Sequence, residues 1–312
     1  MLVINNLSKT FRGGIIAVEN LSFSVNDRRI CGILGPNGAG KTTTIRMILN
    51  IIQPDNGTIL LNNQSITESS KNVLGYLPEE RGLYKKSTIE NTLLYFASLK
   101  KISPTSAKKL IEPWLERFNL QNMGKRKVEE LSKGNQQKVQ FIAAVLHNPD
   151  LLILDEPFSG LDPLNQILFK EVVMDLRKQG KAIIFCTHQL ESAETICDDI
   201  LLINKGRAIL NGSLESIKEQ FTKNSLQIDF EGDGSIIKQL SSVLKATVEH
   251  GKAEIELREG YTINQLLSEL IPHIQIQNFE KSAPSLLSIF TSVVGAENLS
   301  SDFLSQTPKE LK

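Results

Sequence analysis

Residues 35–44 read Gly-Pro-Asn-Gly-Ala-Gly-Lys-Thr-Thr-Thr, a spacing suited to holding phosphate. Gly35, Gly40, Lys41 and Thr42 satisfy G-x-x-x-x-G-K-[ST], in which glycines let backbone N–H groups turn inward around a triphosphate. Lys41 then reaches the β- and γ-phosphates, and the Thr42 hydroxyl ligates Mg²⁺. Asn37, Gly38, Ala39, Gly40, Lys41, Thr42 and Thr43 become the candidate cradle for ATP or GTP. A second group is Leu151-Leu152-Ile153-Leu154-Asp155-Glu156, an apolar run ending in two carboxylates. Asp155 suits a Mg²⁺ role, direct or outer-sphere, and Glu156 suits the residue that orients and polarises attacking water. A third is Leu131-Ser132-Lys133-Gly134-Asn135-Gln136-Gln137-Lys138. A serine and a glycine at a helix start offer a hydroxyl, amides and the helix dipole to another anion.

These groups need elements to aim them. Arg29–Leu34 is an apolar run of strand length, and Thr42–Leu49 has helical spacing. A loop between a buried strand and a helix N-terminus adds the dipole to the anion site. Leu151–Leu154 reads as a strand, and the C-terminal edge of an α/β sheet is where ligands lie. Further strands are expected at Leu2–Asn6, Ile16–Val25, Thr58–Leu61 and Val73–Pro78. From about Ser87 to His147 the period turns helical. Ser103-Pro104 supplies a cap and a first-turn proline, with Leu110, Ile111, Trp114, Leu115 and Phe118 on one face. Trp114 therefore reads as core. A helix from Asp162 to Lys178, a strand at Ala182–Cys186 and a helix from Gln189 restore the βα rhythm. The expectation is an α/β fold, its sheet mostly parallel, with a helical subdomain inserted at about 87–147.

Beyond residue 221 the pattern changes. Leu226, Ile228 and Phe230 alternate as a strand, and Ile236–Leu244 is helix-like. Ala246–Glu249 and Ala253–Leu257 flank His250-Gly251, a hairpin signal. Ile263–Ile271 reads as helix and Ile274–Phe279 as strand. The order βαββαβ is that of the ferredoxin-like split βαβ arrangement. A helix at Pro284–Val294 follows. The expected division is 1–221, then a smaller α+β domain at 222–295, then a disordered polar tail at 296–312.

The 312 residues are enough for two domains with cores of their own. Lys plus Arg equals Asp plus Glu at 35 each, so no strong field favours nucleic acid or anionic lipid. Met1–Asn6 reads as strand rather than signal peptide, and no apolar run is long enough to cross a bilayer. Cys31, Cys186 and Cys197 lack metal-ligand spacing. They are expected to be buried, reduced thiols of a cytosolic protein, two of them in apolar strand-like runs.

In order and spacing the groups resemble the nucleotide-binding subunit of an ABC transporter, over roughly residues 1–220. The resemblance implies an ABC-type P-loop NTPase that binds ATP with Mg²⁺. Ser132, Gly134 and Asn135 stand where that family has LSGGQ, with Lys133 and Asn135 departing from it. Ser159-Gly160-Leu161-Asp162 matches its D-loop and Thr187-His188 its switch histidine. Phe11, with Val18 beside it, falls where the family stacks adenine. By this resemblance two copies pair head to tail, so that ATP on one loop meets Ser132 and Gly134 of the other. His188 then contacts the γ-phosphate and positions water with Glu156.

Glu79, in Leu77-Pro78-Glu79-Glu80, stands where most of the family has a glutamine that contacts Mg²⁺ and links catalysis to a membrane partner. A carboxylate there keeps glutamine's reach and ligates Mg²⁺, while adding negative charge near the γ-phosphate. Glu79 with Gly82-Leu83-Tyr84 is also similar to exporter subunits of sodium-efflux and antibiotic-resistance type, which carry an extra C-terminal domain. The implied partners are a multi-span permease and a second copy or a paralogous ATPase, with no nucleic acid. The implied place is the inner face of the cell membrane. The alternative is a soluble ABC-type ATPase of translation or DNA repair. Such proteins usually carry two cassettes or a long coiled-coil insertion, whereas this chain has one phosphate loop, one signature and no heptad run.

Overall fold

The computed structural model describes residues 1–80, 82–222, 225–280 and 284–295. It divides into one unit of Met1–Asn211 and a second beginning at Gly212. The first opens with β1 (Leu2–Phe11), β2 (Ile15–Val25), β3 (Ile30–Leu34), α1 (Lys41–Ile48), β4 (Asn56–Leu61), β5 (Gln64–Ser65) and β6 (Leu74–Leu77). Next come α2 (Ile89–Leu99), α3 (Pro104–Arg117) and α4 (Lys133–Val145). The unit ends with β7 (Leu151–Asp155), α5 (Pro163–Lys178), β8 (Ala182–Thr187), α6 (Leu190–Ile196), β9 (Asp199–Asn204) and β10 (Arg207–Ser213).

One sheet has the antiparallel order β2-β1-β4-β5. The other runs β10-β9-β3-β8-β7-β6, parallel from β9 to β6. Every residue of β3, β7 and β8 is buried. Strands covered on both faces lose the period-2 pattern and read as unbroken apolar runs. Their C-terminal ends lie side by side, in the order β3, β8, β7, with β6 next. β1 does not stop at Asn6, its expected end. Asn6 takes φ +48° and the pairing shifts between Ile4 and Leu7, so a bulge carries the strand on to Phe11.

In the helical insertion Ser103 caps α3 and Pro104 opens it, as expected. Ile111, Leu115 and Phe118 are buried, but Leu110 departs from the expected face and is 43% exposed. Trp114 is half-buried, stacked on Phe118 and edge-on to Phe141. Phe118 and Phe141 also meet Phe169 of α5, at 5.2 and 5.1 Å between ring centroids. Those rings tie the insertion to α5. All three cysteines are free and buried.

The second unit contains α7 (Leu214–Thr222), β11 (Ser225–Gly232), β12 (Val243–Glu249), β13 (Lys252–Leu257), α8 (Ile263–Leu270), β14 (Ile274–Glu280) and α9 (Leu286–Val294). Because α7 packs with β11 and α9, the division falls ahead of 221/222. The sheet order β12-β13-β11-β14, antiparallel throughout, is that of a ferredoxin-like βαββαβ unit. The helix expected at Ile236–Leu244 is absent. A 3₁₀ segment covers Gly234–Gln239, and Val243 already pairs with Leu257 as strand. Apolar residues at 236, 237, 240 and 244 imitate helical spacing, but buried Ser242 donates its hydroxyl to Glu269 at 2.6 Å, just ahead of the strand. His250 and Gly251 make the hairpin turn with φ of +43° and +79°. The tail expected at 296–312 lies outside the described residues. Among the described residues no helix is long and apolar enough to cross a membrane.

Candidate functional site

The loop at 35–40 leaves β3 between its neighbours β8 and β9. Gly35, Gly38 and Gly40 take φ of +151°, +79° and +110°. A Cβ at Gly35 would lie 2.1 Å from the Ile203 carbonyl, and one at Gly40 would lie 2.4 Å from the Ala17 carbonyl. Glycine is what lets the loop lie against β9 and β2 and present its amides at the start of α1. Lys41 is only 8% exposed, and its Nζ donates to the Gly35 and Pro36 carbonyls at 2.6 and 3.1 Å. Burial pushes its pKa below the usual lysine value, opposed by Glu156, Cys186, Asp155 and Glu79.

Opposite stand the carboxylates at the end of β7, both buried. Burial pushes Asp155 up to about 6, with Glu156 and Glu79 adding and Lys41 and the Tyr76 hydroxyl opposing. Glu156 adopts φ +47°, a conformation rare outside glycine that persists only where surroundings enforce it. They do so here: its N–H donates to the Cys186 carbonyl at 2.9 Å. Thr187 Oγ1 donates to Oε2 at 3.0 Å, and the N–H of His188 donates to Oε1 at 2.9 Å. His188 Nδ1 lies 2.6 Å from the same Oε1. Since a carboxylate accepts, this nitrogen carries the proton. The result is a carboxylate of fixed orientation backed by an imidazole, an arrangement suited to withdrawing a proton from water.

A cleft of ≈ 190 Å³ gathers Asn37 to Thr43, Glu79, Asp155, Glu156 and His188 along its lining. Ala17 joins them, unforeseen from the sequence, its carbonyl packed against Gly40 and Gly206. Two supports also escaped the sequence reading: Thr187, which bonds Glu156, and Tyr76, which bonds Asp155. Thr187 was legible only as the neighbour of His188.

Other candidates stand elsewhere. Ser132, Gly134 and Asn135 do not line this cleft. Ser132 caps α4, its Oγ accepting from the Asn135 N–H at 3.2 Å. A Cβ at Gly134 would meet Leu161 at 3.5 Å, which sets this helix start beside 159–162. Asp162 in turn caps α5. Phe11 and Val18 are likewise not in the lining. Phe11 is 40% exposed at the end of β1, paired with Ile15, while Val18 is buried beside Ala17.

The donor set fits Mg²⁺ bound together with phosphate. The Thr42 hydroxyl, Asp155 and Glu79 are hard oxygen donors in one cleft. Among the described residues no three His, Cys, Asp or Glu side chains are grouped closely enough to hold a metal alone. A cation held by these oxygens would complete its shell with substrate oxygens and water, as Mg²⁺ in phosphate-transfer sites does.

A glycine loop after a central parallel strand, facing an Asp-Glu pair and a histidine, defines the P-loop nucleotide-binding class. Residues 18–159 match the family described as "ABC transporter", and residues 212–294 match "ATP-binding protein DrrA1-3-like, C-terminal domain". "Uncharacterized ABC transporter ATP-binding protein YhaQ" of Bacillus subtilis is 41% identical over 95% of this chain and 99% of its own length. "Nod factor export ATP-binding protein I" of Burkholderia orbicola is 37% identical over 69% of this chain and 71% of its own. A solved structure described as "Structure of ATP binding subunit of ABC transporter" covers 71% of this chain and 93% of that one, with TM-score 0.66 and 32% identity. The chain belongs to the ABC transporter ATP-binding protein family, with a DrrA-like C-terminal domain.

Proposed function

We propose that this chain is the ATP-hydrolysing subunit of an exporter, working as a head-to-tail pair beneath a multi-span permease at the cytoplasmic face of the membrane. The second member is another copy or a paralogue. The observation that carries this reading is the separation of Ser132, Gly134 and Asn135 from the cleft lined by Lys41 and Glu156. A capped helix start is a phosphate-binding device, and in a head-to-tail pair it serves the other copy's nucleotide.

In this reading the loop amides and Lys41 hold the β- and γ-phosphates, and Phe11, exposed on the same hairpin as Ala17, stacks on adenine with Val18 beside it. Thr42, Asp155 and Glu79 hold Mg²⁺, which neutralises charge on phosphate oxygens. Glu156, oriented by Thr187 and His188, takes the proton of the attacking water. His188 contacts the γ-phosphate. Phosphate release removes the charge that bridges the copies, and the pair opens. Export is supported by the relative named for Nod factor export.

The test is Glu156→Gln. It is expected to bind ATP, to pair in light scattering, and to hydrolyse at least about a hundredfold more slowly than wild type. A variant that stays monomeric in saturating ATP contradicts the shared site. Co-purification with a multi-span membrane protein supports the transport reading; tight binding to ribosomes or DNA favours the soluble alternative instead.

A further inference from the structure

We infer that Gln140 is a positioning residue for the metal side of the ATP site, fixing the loop that presents Glu79. The inference rests on the proposed Mg²⁺ role of Glu79. Gln140 lies about two turns along α4 from Ser132 and is 5% exposed. Its Nε2 donates to the carbonyls of Pro78 and Glu80 at 3.3 and 3.1 Å. Those carbonyls flank Glu79, whose side chain lines the nucleotide cleft. Both partners can only accept, so the amide's orientation is fixed by its neighbours.

The amide thus grips the backbone on either side of Glu79. Its other end shows why packing alone does not account for it. Oε1 is buried and has no hydrogen-bond partner among the described residues, and an unmet buried acceptor costs stability. A leucine would fill much the same space without that cost. What glutamine supplies and leucine lacks is the pair of donors. They hold a short segment after β6 whose next described neighbours, Gly82 and Leu83, belong to no helix or strand. Supports of this kind, behind a metal ligand rather than on the metal, set how well the ligand meets its ion.

The experiment uses the full chain carrying Glu156→Gln, so that turnover is slow. The unfolding temperature is followed at fixed ATP while Mg²⁺ is titrated from an EDTA baseline. Gln140→Leu is expected to raise the Mg²⁺ concentration at half-maximal stabilisation by about tenfold. It should leave stabilisation by ATP in EDTA unchanged. Gln140→Glu, of the same shape but with oxygens against both carbonyls, should match it and serves if the leucine variant folds poorly. Glu79→Ala should shift the same midpoint, and Gln140→Leu added to it should do nothing more. If Glu79→Ala moves the midpoint and both Gln140 variants leave it in place, the inference fails alone. If Glu79→Ala does not move it, the Mg²⁺ role of Glu79 fails and takes the inference with it. A full extra shift in the double variant means Gln140 acts by another route, which also overturns it.

Discussion

Gly35 and Gly38 occupy one loop and both take positive φ, yet they face different constraints. Around Gly38 a Cβ would meet nothing within 4 Å, while at Gly35 it would press on the Ile203 backbone. Gly38→Ala should therefore pay only the left-handed penalty of about 1–2 kcal/mol. Gly35→Ala must also displace β9, which should cost more than about 3 kcal/mol. Denaturant unfolding of the unliganded variants measures both, and equal losses would contradict the packing described. The glycine pattern at 35–42 was legible because the residues that do the chemistry are neighbours in sequence. The roles of Thr187 and Tyr76 were not. Each depends on a partner one strand away, Glu156 and Asp155, and register across a sheet leaves no mark in the local pattern.

Among the elements, β3, β7 and β8 announced themselves because burial on both faces demands continuous apolar residues. The segment 236–244 misled for the converse reason: its spacing fits a helix, and only pairing with β13 and the bond to Glu269 make it otherwise. α4 and β6 are joined by a contact with a measurable pH signature. His147, just past α4, lies 2.9 Å through Nε2 from the Leu74 carbonyl. Burial pushes its pKa from 6.5 down to about 4, helped by Lys100 and Lys181 and opposed by that carbonyl. Above about pH 6.5 the ring is neutral in both folded and unfolded chains. Between 6.5 and about 4 the unfolded chain takes a proton that the folded one refuses, so stability falls as pH falls. The loss attributable to this group is at most about 3 kcal/mol. Unfolding free energies of wild type and His147→Gln, compared from pH 7 to 4, should shift by that order in the variant's favour. A difference that stays constant with pH would remove the histidine from the account.

At the scale of the whole molecule, the two units have separate apolar cores, one around β1, β3 and α1 and one within the β11–β14 sheet. The second unit's four strands and the helix α8 were legible from their alternation and the His250-Gly251 turn. Its start was not, since nothing in the local pattern near Gly212 shows that α7 packs with β11 and α9. The distance of Ser132 from the cleft lined by its own chain's Lys41 has a consequence in the logic of complementation. Take one preparation altered at Lys41→Ala and another at Ser132→Arg, each expected to be inactive by itself. In a mixed pair, one site inherits both lesions and the other inherits neither. ATP-dependent pairing and hydrolysis should return on mixing and peak at equal proportions. Were each site made by a single chain, no ratio would revive it. Two broken proteins restoring one another would mean that the working enzyme is written once in the sequence and assembled only between copies.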